Sequence, residues 1–331
     1  AKSLPPDPLG VHRSHESRSH HPMGLARQIC ELAGRSPAGC AHGRSQARLL
    51  GYTGAVEGGV TTPGTGTAGK QIEVVAGHAV VAAPQIASVS VFGLGYIGLP
   101  TSLAFAHAGH VVVGVDINQE AVDTLNAGDL HIFEDGLREY YDGARATGRF
   151  RATVQPEPAD AYLIAVPTPV AADHTADLSY VEAASESIGS VIRRGDLVVL
   201  ESTVPPRTSI DVVAPAIERV SGLKHGLDYD LAHCPARVIP GRILIELFEH
   251  DRIVGGTTPG AARRAAELYR SFVEGDSFET DTTTAETVKL MENTFRDVNI
   301  ALANELRAIC LSVGADPGEA IRLANRHPRV T

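Results

Sequence analysis

Among the four cysteines (Cys30, Cys40, Cys234 and Cys310) there is no CxxC pair and no zinc-ligand spacing. Their wide scatter excludes a disulfide framework and suits a reducing compartment. No metal site is expected. No apolar run approaches the ~20 residues of a membrane span, and the first residues lack the charged-then-apolar pattern of a secretory signal. The expectation is a soluble cytoplasmic protein without a membrane partner. Basic excess is missing too: the 331 residues carry a net charge of −10. Residues 1–84 hold 8 Lys and Arg against 5 Asp and Glu, and the remainder 21 against 34. An acidic body argues against a nucleic-acid partner, yet allows a local basic pocket for a phosphorylated ligand. The length fits about two domains at roughly 150 residues each.

What is present divides unevenly. Residues 1–84 read as a disordered leader. "LPPDPLGVHRSHESRSHHP" is polar and rich in His and Pro, and "GYTGAVEGGVTTPGTGTAGK" is a Gly/Thr tract. Neither has the sustained apolar period needed to offset chain entropy, apart from one short helix expected around "MGLARQICELAG". His12, His15, His20 and His21 read as a solvated tail, not a metal site. "GTGTAGKQ", Gly64 to Gln71, approaches a phosphate loop but ends in Gln71, where Mg²⁺ ligation needs a hydroxyl.

From Ile86 the pattern alternates. "IASVSVFG", "HVVVGVD", "AYLIAV", "DLVVLES", "DLAHCPA" and "DRIVGG" are strand candidates. "LPTSLAFAHAG", "NQEAVDTLNAG", "LSYVEAASESIGSVIRRG", "TSIDVVAPAIERVSG" and "PGAARRAAELYRSFV" are the helices between them. Asn118 is the expected N-cap of the second helix, and Gly128 lies beyond its end. Strands separated by helices imply βαβ units and a parallel sheet. The expected class is therefore α/β, a Rossmann-type doubly wound parallel sheet over residues 85–283. From residue 284, "TAETVKLMENTFRDVNIALANELRAICLSVGAD" predicts one long central helix. Its Val288, Met291, Phe295, Val298, Leu302, Leu306, Ile309 and Val313 recur every three or four residues. That stripe is too long for one small domain to bury, and suits a domain link or a dimer core. "DPGEAIRLANRHPRVT" adds a last short helix.

Chemistry gathers after the first strand. Gly93, Gly95 and Gly98 spell G-x-G-x-x-G between a strand and a helix. The first glycine permits a tight turn, the second a close approach of pyrophosphate, and the third close helix–strand packing. Asp116 ends the second strand about twenty residues on, where a carboxylate accepts from a ribose 2′-hydroxyl and repels a 2′-phosphate. The cofactor expected is NAD. Thr168 in "AVPTP" and Thr203 in "ESTVPP" follow strand ends, where open sheets place ligands. Lys289 and Asn293 share a helix face, with Arg296 further along the same side. Such a group can carry a proton or stabilise an oxyanion, although a solvated face has the same spacing.

"VFGLGYIGLP", "VDIN", "VPTP", "ESTVPP", "CPARVIPGR", "TAETVKLMENTFRDVNIALANEL" and "ANRHPRV" resemble, in order and spacing, the nucleotide-sugar 6-dehydrogenases of the UDP-glucose/GDP-mannose dehydrogenase family. The resemblance covers about Ile86 to Val330. It implies oxidation of a UDP-sugar C6 alcohol to the carboxylate, using NAD through an aldehyde and a cysteine-bound thioester, for surface polysaccharide synthesis. By resemblance Tyr96, Ile97 and Asp116 bind NAD, with Thr168 and Thr203 beside it, and Arg237 and Val238 lie against the UDP-sugar. Lys289 would carry the proton, with Thr203 and Asn293 also at the reacting centre. Asn293 and Arg296 would contact substrate, as would His327, Pro328, Arg329 and Val330. Residues 284–331 would open a central domain that forms a homodimer through the long helix.

Two departures from the family pattern qualify these implications. Ala236 stands where family members commonly carry Glu, and one lost acid/base group costs about 10²–10⁴ in rate where it participates. The family's nucleophilic cysteine follows "HPRV", and its C-terminal nucleotide-binding domain comes later still. Both are absent from these residues. Cys234 reads as a small strand-end residue rather than that nucleophile. Without the thiolate no thiohemiacetal forms, so full four-electron oxidation by these residues alone is not expected. Two alternatives stay open: another UDP-sugar 6-dehydrogenase, and a non-catalytic NAD-binding dimerisation module.

Overall fold

The computed structural model describes residues 86–327. The leader, its expected helix and "GTGTAGKQ" lie outside the described residues, as do Pro328, Arg329 and Val330. The described chain runs β1 (Ser88–Phe92), α1 (Gly98–His107), β2 (Val111–Val115), α2 (Gln119–Ala127), α3 (Leu137–Ala146), β3 (Phe150–Thr153) and β4 (Ala161–Ile164). It continues with α4 (Ser179–Gly189), β5 (Leu197–Leu200), α5 (Ala214–Ser221), β6 (Asp230–His233), α6 (Ile243–Glu249), β7 (Arg252–Gly256), α7 (Pro259–Tyr269) and β8 (Ser277–Asp281). The helices α8 (Thr282–Ser312) and α9 (Pro317–Ala324) close it.

One eight-stranded sheet has the order β3-β2-β1-β4-β5-β6-β7-β8. Its strands are short runs of branched residues whose alternate side chains point to opposite faces. In β4, Ala161 and Leu163 join one core with α1, α3, α6 and α7. Tyr162 and Ile164 join the other core with α4 and α5. Strands buried on both faces explain why these runs read as continuously apolar.

The parallel sheet expected from the sequence holds from β3 to β6 and requires one correction. β7 pairs antiparallel with β6, and β8 runs parallel to β7. The physical reason is the connection. Residues 234–251 carry only the seven-residue α6 and return at the carboxyl edge of β6, because antiparallel neighbours need no crossover. That loop is thereby held at the edge where ligands bind.

Local chemistry accounts for the helix ends. The Asn118 side chain accepts from the backbone N–H of Glu120 and Ala121, and Gly128 follows α2 at φ +103°. The segment expected to be helical up to Gly195 stops as an α-helix at Gly189. Before α5, residues Ser209–Val213 form a π-helical turn. Pro215 offers no N–H and crowds the carbonyl four residues earlier, so a widened turn relieves the clash. In α8 the buried residues, Thr282, Ala285 and Glu286, are confined to its first turns. Met291, Phe295, Ile300, Leu302, Ile309 and Val313 further along are exposed.

Candidate cofactor and substrate site

The strand order reverses between β1 and β4, and ligands of open α/β sheets bind outside the carboxyl ends at such a point. The turn joining β1 to α1 lies there. Gly93 adopts φ +93°, and a Cβ on it would sit 2.5 Å from the Ala165 carbonyl oxygen. A Cβ on Gly98 would lie 1.8 Å from the Gly93 carbonyl oxygen. The protein's own packing demands both glycines. Gly95 differs, since nothing stands within 4 Å of where its Cβ would be. The open space at the middle glycine is a cradle that a side chain would fill and a pyrophosphate can approach.

Asp116 turns toward this cradle. Its Oδ2 accepts from the Leu94 N–H at 2.8 Å and its Oδ1 from the Asn118 N–H at 2.9 Å. Each carboxylate oxygen keeps further acceptor capacity for a ribose hydroxyl. A cavity of about 560 Å³ is lined by Gly93, Gly95, Tyr96, Ile97 and Asp116, with Val154, Pro156, Tyr180 and Ser187 among its other walls. Apolar walls, a backbone cradle and one carboxylate fit the rings, pyrophosphate and ribose of NAD.

Thr168 and Thr203 come together at the carboxyl ends of β4 and β5, where the Thr168 hydroxyl donates to the Thr203 carbonyl at 2.7 Å. Neither lines the cavity. Beside them the Ser202 hydroxyl donates to the Val166 carbonyl at 2.7 Å, tying the two loops.

A second cluster forms where the 234–251 loop meets α8. Glu286, fully buried, anchors the helix by accepting from the Ser209 N–H at 2.8 Å and from the Arg207 N–H. Lys289, half-buried, donates from Nζ to the Ala236 carbonyl at 2.6 Å. Burial lowers its pKa below the usual lysine value, Arg296 and Arg237 push the same way, and Glu292 opposes them. Arg237 grips Glu292 through two nitrogens, at 2.7 and 3.2 Å, and donates to the Asp251 carbonyl at 2.8 Å. Asn293 accepts from Arg296 at 2.8 Å. Val238 packs against the first core. His327 is exposed beyond α9.

Three residues that the sequence did not single out shape this region. Glu292 follows Lys289 by three positions, a spacing that could have marked it. Glu134 and His131, considered below, have partners far away in sequence and no local signal. Cys234 is fully buried, and burial pushes its thiol up to about 12, which rules against a ready thiolate. Its neighbour His233 is also buried, and burial lowers its imidazole to about 3. Among the described residues no group of three or more His, Cys, Asp or Glu is arranged to hold a metal.

Sheet, turn and acid together define an NAD-binding protein of the Rossmann type. Residues 87–273 match the NAD binding domain of the UDP-glucose/GDP-mannose dehydrogenase family, and residues 283–331 match its central domain. The chain belongs to that family. It is 49% identical to the UDP-N-acetyl-D-mannosamine dehydrogenase of Escherichia coli (strain K12), over 74% of this chain and 60% of that one. It is 52% identical to an NDP-N-acetyl-D-galactosaminuronic acid dehydrogenase of Ralstonia solanacearum, over 73% of this chain and 59% of that one. The solved UDP-D-ManNAc dehydrogenase of Pyrococcus horikoshii superposes with a TM-score of 0.71 at 46% identity, covering 74% of this chain and 59% of that one. The chain thus spans about three fifths of the length of these relatives.

Proposed function

We propose that this protein serves the NAD-dependent oxidation of the C6 alcohol of a UDP-N-acetylhexosamine, with UDP-N-acetyl-D-mannosamine the first choice. One hydride to NAD⁺ and one proton to Lys289 account for the first step, alcohol to aldehyde. The carboxylate, which would feed surface polysaccharide synthesis in the cytoplasm, further requires water, a second NAD⁺ and the cysteine that the family resemblance places after "HPRV". One observation carries the reading: Lys289 stands half-buried, with a lowered pKa, against the loop that presents Arg237. A lysine so placed reaches a neutral, proton-accepting state more easily than one in water.

In this reading Gly93, Gly95, Tyr96, Ile97 and Asp116 hold NAD⁺, Gly98 keeps their turn closed, and Thr168 and Thr203 flank it. NAD⁺ when bound supplies the hydride acceptor. Lys289 takes the proton of the C6 hydroxyl at Nζ while Asn293 and Thr203 orient the oxygen. Arg237, Val238 and Arg296 hold the nucleotide sugar, joined by His327, Pro328, Arg329 and Val330. The exposed apolar stripe of α8 supports a homodimer through that helix. Sequence similarity to the Ralstonia enzyme makes the galactosamine epimer the specific second reading.

The test is NADH formation by the protein supplied with NAD⁺ and, in separate reactions, UDP-N-acetylmannosamine, UDP-N-acetylgalactosamine, UDP-N-acetylglucosamine and UDP-glucose. Fastest turnover of the mannosamine compound is expected. Faster NADH formation from UDP-glucose would overturn the sugar assignment. NAD⁺ binding with no sugar-dependent NADH would favour a non-catalytic module.

A further inference from the structure

The dinucleotide turn and the Arg237 loop are joined by a short stretch of chain that neither site requires on its own. Leu94, between the first two glycines of the turn, is held at both ends of its backbone. Its N–H donates to Asp116, and its carbonyl lies 2.8 Å from His131 Nε2. A carbonyl oxygen only accepts, so Nε2 carries the proton. Three residues on, Glu134 is buried and reaches across more than a hundred positions to the loop after β6. Its Oε2 accepts from the Gly241 N–H at 2.9 Å and its Oε1 from the Ile243 N–H at 2.8 Å. Gly241 has φ +89°, so the chain there turns sharply and is not stiffened by a side chain. The same loop carries Ala236, whose carbonyl takes the Lys289 ammonium, and Arg237, which grips Glu292.

We propose that residues 131–134 are a coupling strap. His131 reads the state of the cofactor turn and Glu134 fixes the substrate loop, so that NAD⁺ binding orders the loop carrying Arg237. Both are positioning residues. The inference rests on NAD⁺ binding at the Gly93–Gly98 turn. A ligand that orders the turn also orders whatever the turn is bonded to, and coupling of this kind changes an equilibrium by a factor of about 5–150. The two bonds to Glu134 fit such a role. A carboxylate offers both amides an acceptor, whereas a glutamine offers one oxygen and sets N–H against N–H at the other.

Amide hydrogen exchange at Gly241 and Ile243 reads the loop directly, with no need for turnover. In the whole chain, saturating NAD⁺ should slow exchange at both amides by at least about 5-fold. In His131→Phe, which keeps a ring but has no donor, NAD⁺ should bind and leave exchange unchanged. His131→Gln, which retains an N–H donor, should restore part of the effect. Glu134→Gln, which keeps one acceptor and loses the other, should exchange faster at one of the two amides or both, with and without NAD⁺. If NAD⁺ binds by calorimetry and wild-type exchange at these amides does not change, the strap is refuted and the cofactor site stands. Persistence of the full NAD⁺ effect in His131→Phe refutes it equally. Should calorimetry find no NAD⁺ binding, the cofactor site itself is wrong and the coupling falls with it. The wild-type comparison tests the proposal whether or not the variants fold.

Discussion

His233 and Lys289 lie near one another at the carboxyl edge, and burial weakens the charged form of each. For His233 the effect becomes a statement about stability. Its folded value of about 3 lies below the ordinary 6.5, so on acidification the unfolded chain takes up the proton first. The contribution is full above pH 6.5 and is lost as pH falls toward about 3. The slope is about 1.4 kcal/mol per pH unit, so about 2 kcal/mol should vanish between pH 7 and pH 5. Denaturant unfolding at the two pH values checks it. His233→Leu, which removes the titrating group, should lose correspondingly less, and equal losses in both proteins would exclude the imidazole as the source. Lys289 interacts with Glu292 and Arg237, and its lowered pKa suits a group that must both hold and release a proton.

Elements differ in how plainly the chain announces them. The strand–turn–helix around "VFGLGYIGLP" was legible because each glycine answers a local demand: φ +93° at Gly93, backbone contact at Gly98, open space at Gly95. Gly93→Ala should therefore lose about 1–3 kcal/mol from backbone strain alone, before the contact with Ala165 is counted. Urea unfolding measures the loss, and a change under about 0.5 kcal/mol, the ordinary range for a neutral substitution, would contradict this geometry. Helix α2 was legible from Asn118 and Gly128. Four elements were not anticipated: α3, β3, α6 and β8. β3 and β8 are the sheet edges, short and mixed in polarity, with Arg151 and Glu279 interrupting any apolar run. α3 buries only Leu137, Tyr141 and Ala144 among charged neighbours, and α6 spans seven residues. The antiparallel β7 had no local signal, because direction depends on which edge the preceding loop returns to. In the candidate site, the glycines and Asp116 could be read from spacing. The meeting of Arg237 with Lys289 joins residues 52 positions apart and was expected only through family resemblance.

At the scale of the molecule, α8 is buried at one end and bare along the rest of its length. Its start is locked down by Glu286, whereas Phe295 is 74% and Val313 73% exposed. A helix whose apolar stripe faces outward calls for a partner surface, and a second copy of this chain would supply one in the proposed homodimer. Sedimentation should show a dimer that Phe295→Asp converts to monomer without loss of NAD⁺ binding. A wild-type protein that stays monomeric at high micromolar concentration would contradict the dimer. Among the described residues no helix is long and apolar enough to cross a membrane, so the stripe does not read as a span.

The glycine cradle facing Asp116 supports all of this, and an NAD⁺ titration by calorimetry tests it most directly. Saturable binding is expected, with affinity lower by about 10-fold or more in Asp116→Ala, a loss of at least about 1.4 kcal/mol. NADP⁺ should bind more weakly than NAD⁺ to the wild type, since the carboxylate repels a 2′-phosphate. An absence of binding heat at millimolar NAD⁺, or an Asp116→Ala protein that binds as tightly as the wild type, would contradict the account.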